Sequence, residues 1–195
     1  MSAADVNYFY TAWIRKAGRA VHLGHRDYAR TIQRALRRSG LPLRMTQGFH
    51  PHPKMLLPEP LPLGVGSEGE AFVVALLEEV PRAVVQHDLG EKLSVDLALI
   101  RTEVGRRPEP RDTPLTLWLE GVPTLEDRLA GLNAEALGLA EYRLERGSGS
   151  GVQVRLTPHP DRRVSVGRLI RTLAESGPAA RSITRVHAGR ALQED

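Results

Sequence analysis

The sequence of 195 residues contains no cysteine, so it supplies no thiolate to an iron–sulfur cluster or to a thiolate zinc site. It has no apolar run near the roughly 20 residues that cross a bilayer. Its N-terminus lacks the basic region and apolar stretch of a secretory signal. We therefore expect a cytoplasmic protein without membrane contact. Aromatic residues make up only 5%, so stacking faces for bases are few.

Arginine is abundant, with 24 residues against three lysines, and it is unevenly spread. Residues 14–54 carry ten Lys/Arg and a single acid, Asp27, whereas the rest of the chain carries 17 bases and 22 acids. A strongly basic segment on an otherwise acidic protein favours a polyanion partner. A solvated charged face without any ligand is the alternative interpretation.

Residues 25–38 predict a helix, because apolar residues recur at i, i+4, i+7 and i+8 from Tyr28. Asp27 in the first turn and Gly40 after the last turn suit the two ends of such a helix. Four arginines fall within about 80° of one another on the helical wheel, and a fifth flanks them. Like charges on one face repel each other, and bound phosphate would offset that cost. These arginines are Arg26, Arg30, Arg34, Arg37 and the flanking Arg38.

The order of predicted elements indicates an α+β protein. After the first strand and the arginine helix, the first half continues with strands at 41–46 and 70–79, a short helix at 81–93 and a strand at 94–104. In the second half, four alternating strands are separated by helices at 124–138 and 165–177 and by a hairpin. Both halves fit the β-α-β-β-α-β, ferredoxin-like pattern with antiparallel sheets. We infer two tandem halves, 1–104 with the basic helix and a Pro/Gly-rich insertion, and 113–195.

The stretch QGFHPHPKM at residues 47–55 lies in that insertion. A metal site, an acid–base site, a binding loop and a stiff structural turn are all open interpretations. Alternating prolines reduce the entropy lost on binding, and Phe49 and His52 offer stacking faces, which favours the binding loop. No carboxylate pair accompanies the histidines, so we expect no metal. For acid–base work on RNA, the available groups are His25, His52, Tyr28 and Lys54.

Residues 64–69, GVGSEG, match the G-x-G-x-x-G pattern of dinucleotide sites. The match follows a proline-rich stretch instead of a strand, and Glu68 and Glu70 would repel a pyrophosphate. We therefore predict a glycine-rich turn into a strand, and we expect no cofactor.

These segments together resemble a family associated with radical SAM enzymes, catalogued as domain of unknown function 2344. The chain departs from that family's pattern at Gly24, Arg26 and His50, where Ser, Leu and Asn are usual. The resemblance implies association with a radical SAM enzyme and no defined activity. Without cysteine, this chain can only assist such an enzyme. The matching residues are His25, Asp27, Gly48, Phe49, Pro51, His52, Pro53, Pro60, Leu61, Pro62, Gly64, Ser67, Gly69 and Glu70.

Two functions from different classes follow as expectations. The first is a non-catalytic accessory protein that binds RNA, either tRNA or rRNA, through the arginine helix and the GFHPHP loop. The second is a metal-independent endoribonuclease on a tandem ferredoxin-like scaffold, as in CRISPR RNA-processing nucleases. The residues expected to bind RNA are Arg26, Arg30, Arg34, Arg37, Arg38, Arg44, Phe49, His52 and Lys54.

Overall fold

A computed structural model describes residues 7–57, 61, 63–105, 115–120, 139–146, 151–158 and 182–187. The chain forms two compact units. The first unit comprises residues 1–59 and 69–107, and the second comprises residues 60–68 and 108–195. Among the described residues, no helix is long and apolar enough to cross a membrane.

The first unit combines strands with two α-helices. Strand β1 runs antiparallel to β4, β2 runs antiparallel to β3, and the strand order is β4-β1-β3-β2. Short 3-10 turns occupy Gly18–His22 and Val95–Leu97. The elements are β1 (Tyr8–Lys16), α1 (His25–Arg38), β2 (Met55–Leu56), β3 (Val65–Leu76), α2 (Arg82–Gly90) and β4 (Leu99–Val104).

The second unit contributes four further strands in the order β8-β5-β7-β6, and every pair among them is antiparallel. The first residues of β3, 65–67, belong to this unit and pair in parallel with residues 183–185 of β8. The strands are β5 (Leu115–Glu120), β6 (Leu139–Arg146), β7 (Gly151–Pro158) and β8 (Ser182–His187).

The predicted α+β class with antiparallel pairing is confirmed. The predicted helices at 124–138 and 165–177 lie outside the described residues. The tandem ferredoxin-like arrangement and the half boundaries at 104 and 113 therefore stay predictions. The glycine-rich segment does lead from a turn into a strand, since Gly64 has a φ of +83° and β3 begins at Val65.

Helix α1 forms where its apolar stripe predicts it, from His25 to Arg38. The chain leaves the helix through Gly40, whose φ of +75° lies in the left-handed region that glycine favours. The stripe packs on inward-facing residues of β1 and β3, so burial of one helix face against the sheet holds the helix in place. The buried residues of this core include Tyr28, Ile32, Ala35 and Leu36 from α1, Tyr10, Ala12 and Ile14 from β1, and Phe72, Val74 and Leu76 from β3.

The prediction of a regular strand at residues 41–46 is wrong. The structure has only isolated bridges there, Leu43 to Leu76 and Met45 to Pro53, and the regular strand β2 comes later. The reason is proline, which has no N–H to give to a ladder. Pro42 contributes only its carbonyl, which accepts from the Leu77 N–H at 2.8 Å.

We predict that Leu36→Ala lowers the free energy of unfolding by about 2–5 kcal/mol, because Leu36 is 0% exposed in the core. Urea denaturation followed by circular dichroism measures the change. The matched control is Leu77→Ala, a side chain 50% exposed, which should cost no more than about 0.5 kcal/mol. Equal losses in the two variants would contradict the packing described for α1.

Candidate nucleic-acid interface

The five arginines of α1 are all exposed, but they differ in their partners. Arg37 donates to the Pro51 carbonyl at 2.7 Å, and Arg38 donates to the Lys92 carbonyl at 3.0 Å. Arg30 faces Asp27 at 3.6 Å in a solvated pair, which contributes little to stability. Within the described part of the chain, Arg26 and Arg34 make no hydrogen bond or ion pair. The helix thus presents guanidinium groups that contribute little to folding.

The histidine–proline loop rises from a base that is fixed by one residue pair. The Thr46 N–H donates to the His52 carbonyl at 2.8 Å, and the His52 N–H donates to Thr46 Oγ1 at 3.1 Å. Gly48, with a φ of +127°, makes the turn that a side chain would strain. Phe49 follows it with a fully exposed ring. The loop therefore displays an aromatic face on a tied backbone.

The same base orients the ring of His52. Its Nδ1 lies 3.1 Å from Thr46 Oγ1 and 3.3 Å from the His50 carbonyl oxygen. A carbonyl only accepts hydrogen bonds, so the second contact favours a proton on Nδ1. Nε2 then carries the lone pair, and it has no hydrogen-bond partner among the described residues. This nitrogen can accept a hydrogen bond or a proton.

The helix and the loop meet at the C-terminal end of α1, through the hydrogen bond from Arg37 to Pro51. His25 begins the helix, and at 1.5 Å per residue it lies roughly 18 Å along the axis from Arg37. The structure thus groups His52 with the last turn of α1 and not with His25. Lys54 is exposed just beyond the loop, whereas Tyr28 is buried in the core.

Pro60 and Pro62, which also carry the family resemblance, lie outside the described residues, and several of the remaining residues are either exposed or buried. Asp27 lies in the exposed first turn of α1, beside His25. Pro53 is buried behind the loop, and Ser67 and Glu70 are buried in β3. Burial of these side chains indicates a structural role for them.

Beside the loop lies an open depression of about 360 Å³. Its described lining contains two cationic side chains, several polar groups and no acid. Asn7, Thr46 and Gln47 were not identified from the sequence, since nothing local marks them; the depression forms only when residue 7 meets the loop base. The lining residues are Asn7, Arg44, Met45, Thr46, Gln47 and Lys54.

A buried polar cluster lies in the core of the first unit, around Lys16 and Tyr28. Lys16 is 4% exposed, donates to the Leu23 carbonyl at 3.2 Å and sits 5.9 Å from the centre of the Tyr28 ring. Burial lowers the pKa of Lys16, and the nearby Glu70 carboxylate partly opposes that shift. Burial also raises the pKa of Tyr28, and the charge of Glu70 raises it further. Tyr28 is therefore a neutral core phenol at physiological pH.

Among the residues that the structure describes, no three His, Cys, Asp or Glu side chains cluster closely enough to hold a metal ion.

Residues 10–114, more than half of the chain, match the family model described as an uncharacterized protein conserved in bacteria, domain of unknown function 2344. No curated protein matches the chain. The match covers the arginine helix, the loop and the lining residues of the depression other than Asn7.

We predict that Tyr28→Phe leaves the stability at pH 7 unchanged or raises it by about 1 kcal/mol, because the buried hydroxyl has no hydrogen-bond partner in the described structure. An unfolded tyrosine ionises near pH 10, while the folded Tyr28 keeps its proton. Its contribution is therefore complete below pH 10 and is lost as the pH rises above it. The variant should lose less stability above pH 10 than the parent.

Tyr10→Phe is the matched control, since the Tyr10 hydroxyl accepts from the Val80 N–H at 2.8 Å and donates to the Val80 carbonyl. It should cost about 1–2 kcal/mol at pH 7. Chemical denaturation at several pH values measures both variants. A Tyr28→Phe loss as large as that of Tyr10→Phe would show that the Tyr28 hydroxyl has a partner.

Proposed function

The chain belongs to the bacterial family of domain of unknown function 2344, and we propose that it is a non-catalytic accessory protein that binds RNA, either tRNA or rRNA. The observation that carries this proposal is the 2.7 Å hydrogen bond from Arg37 to the Pro51 carbonyl. It joins the arginine helix and the GFHPHP loop into one surface. That surface combines the two features that sequence-tolerant RNA binding needs, cations for phosphates and an exposed ring for bases.

The helix supplies the electrostatic part. Arg26, Arg30 and Arg34 are exposed on successive turns and lie about 6 Å apart along the axis. That distance is close to the spacing of neighbouring phosphates in an extended strand. Planar guanidinium groups bind phosphate oxygens with two hydrogen bonds each. Phosphate would offset the mutual repulsion of these charges.

The loop supplies the contact to the bases. A fully exposed phenyl ring gains nothing for the fold, so its burial against a base would be a net gain. Because Thr46 and His52 already fix the loop base, binding would lose little backbone entropy there. Stacking on such a ring tolerates any base, which fits a protein that presents RNA to another enzyme.

The scaffold belongs to the same proposal. The strand order β4-β1-β3-β2 of the first unit corresponds to β8-β5-β7-β6 in the second, each being fourth-first-third-second in chain order. An antiparallel sheet in this order is what a β-α-β-β-α-β chain makes when its two crossovers each skip one strand. This agreement supports two ferredoxin-like halves, 1–104 and 113–195. A cytoplasmic location completes the proposal.

A radical SAM enzyme is the partner that the sequence resemblance implies. The chain has no cysteine for a cluster, so in this role it would bring RNA to an enzyme formed by another polypeptide. Affinity purification of the full chain from the native bacterium, with mass spectrometry and RNA sequencing of the same eluate, tests both partners. An eluate without enriched RNA would contradict the proposal.

One observation favours the alternative of a metal-independent endoribonuclease. His52 has its Nδ1 engaged and Nε2 left to take a proton, as a general base requires. The second group of an acid–base pair is not beside it, since His25 lies at the other end of α1 and Tyr28 is buried. Lys54 is the remaining candidate of that set.

We predict that the double variant Arg26→Gln with Arg34→Gln binds RNA more weakly and with a flatter salt dependence. Removing two phosphate contacts to a single strand should reduce the slope of log K against log salt by roughly 1.4. Fluorescence anisotropy with labelled single-stranded RNA, from low to moderate salt, measures the slope.

The matched control is Arg19→Gln with Arg82→Gln, which removes the same charge beside β4, at the sheet edge opposite β2. It should leave the slope nearly unchanged, apart from a small uniform loss of affinity. If the two double variants behave alike, net charge and not the helix face explains binding.

Phe49→Ala should weaken RNA binding by about 1–3 kcal/mol without changing the melting temperature, because its ring contacts nothing that the fold needs. Phe49→Trp keeps a stacking face and should preserve affinity. His52→Ala should also weaken binding. Anisotropy and thermal melting of the same samples separate affinity from folding.

The same protein, incubated with RNA and a chelator, should leave the RNA intact on a denaturing gel. Cleavage that His52→Ala abolishes while binding persists would replace the accessory role with the endoribonuclease. A lower melting temperature of His52→Ala with unchanged affinity would instead make the loop structural.

A further inference from the structure

The open depression beside the loop is formed around two cations that the backbone forces together. The Lys54 N–H donates to the Arg44 carbonyl at 2.7 Å, and the bridge from Met45 to Pro53 follows in the same antiparallel register. Arg44 and Lys54 are thus cross-strand neighbours, with Cβ atoms roughly 5 Å apart. Like charges directly opposite each other are destabilising. A phosphate placed between the two side chains would be attracted to both charges.

The next pair along this register strengthens the site. Residues two apart on an extended chain point to the same side, so Thr46 follows Arg44 and His52 precedes Lys54 on one face. Burial agrees with this alternation, since Pro53 is buried while His52 and Lys54 are exposed. The face therefore carries a guanidinium, an ammonium, a hydroxyl and an imidazole. The guanidinium, the ammonium and the hydroxyl can donate hydrogen bonds to a phosphate, and the imidazole Nε2 can accept one from a ligand.

The size and the rest of the lining narrow the ligand class. A volume of about 360 Å³ is near the lower end of small-ligand sites and suits one nucleotide, not a duplex. Gln47 adds an exposed amide, which both donates and accepts and so can pair with a base edge, and Asn7 lines the same depression. Phe49, two residues beyond Gln47, offers a ring for the neighbouring base.

We propose, resting on the function proposed above, that this depression takes one unstacked nucleotide of single-stranded RNA, with its phosphate between Arg44 and Lys54. Arg44 gives the planar donors that fit two phosphate oxygens, and Lys54 adds a point charge. Asn7 and Gln47 meet the base. Duplex RNA is excluded because its paired bases stay stacked.

The test uses the full chain and small probes, by isothermal titration calorimetry and NMR. The four nucleoside monophosphates should bind saturably. The corresponding nucleosides and inorganic phosphate should each bind at least about tenfold more weakly, since each lacks one of the two sets of charge-assisted or polar contacts. An unstructured oligouridylate should displace the monophosphate, and a duplex of equal length should not.

Lys54→Gln should weaken monophosphate binding by about tenfold or more, which is the usual effect of losing a hydrogen bond to a charged group. The matched control Lys92→Gln removes an exposed lysine outside the depression and should have no effect. Asn7→Ala and Gln47→Ala should weaken binding of the monophosphate but not of inorganic phosphate. Unchanged monophosphate affinity in Lys54→Gln would overturn the proposal.

The helix variant Arg26→Gln with Arg34→Gln separates this proposal from the function on which it rests. It should weaken oligonucleotide binding and leave monophosphate binding intact. Oligonucleotide binding without monophosphate binding would overturn the nucleotide site and leave the RNA-binding function standing. If the parent protein binds neither oligonucleotides nor monophosphates, the nucleotide site and the RNA-binding function are both overturned. Hexaglutamate binding as tightly as the monophosphates would replace the nucleotide with a general anion site.

Discussion

A closed cycle of three backbone hydrogen bonds at the edge of β3 determines the geometry of the candidate site. The Arg44 N–H donates to Ala75 at 2.9 Å, the Ala75 N–H donates to Lys54 at 3.0 Å, and the Lys54 N–H donates to Arg44 at 2.7 Å. The chain thus leaves the sheet edge after Arg44 and returns to it at Lys54. The histidine–proline loop is the part between. Both cations, the loop base and the depression take their positions from this cycle.

Buried and exposed cations of the first unit have opposite relations to the fold. Lys16 is buried, so its charge costs desolvation energy and is matched by the Leu23 carbonyl and the Tyr28 ring. The α1 arginines are exposed to water, and only those of the last turn donate hydrogen bonds to backbone carbonyls. Charge that packing does not use, concentrated beside an exposed ring, is what a binding surface for a polyanion consists of. This contrast is the physical basis for preferring a ligand over a merely solvated face.

Sequence patterns were sufficient for the elements whose causes are local. The apolar stripe beginning at Tyr28, with Asp27 and Gly40 at the two ends, predicted α1 at residues 25–38. The hydrogen bonding along the edge of β3 could not be predicted from the sequence. Its N–H groups donate to the carbonyls of Pro42 and Lys54, which come from two separate segments. The pairing of Thr46 with His52 is equally nonlocal, and so the depression and its amides were missed. The loop itself was found because histidine and proline alternate within it.

The positions of the side chains around His52 also bear on the choice between RNA binding and RNA cleavage. Cleavage of RNA by protons alone needs one group to take a proton and another to give one, on opposite sides of the scissile phosphate. On the same face as His52 the described structure places two cations, Arg44 and Lys54, and both attract a phosphate before any chemistry begins. Interactions of equal strength in the ground state and the transition state tighten binding without accelerating chemistry. A single oriented imidazole beside a cationic pair therefore makes a better phosphate clamp than a nuclease centre.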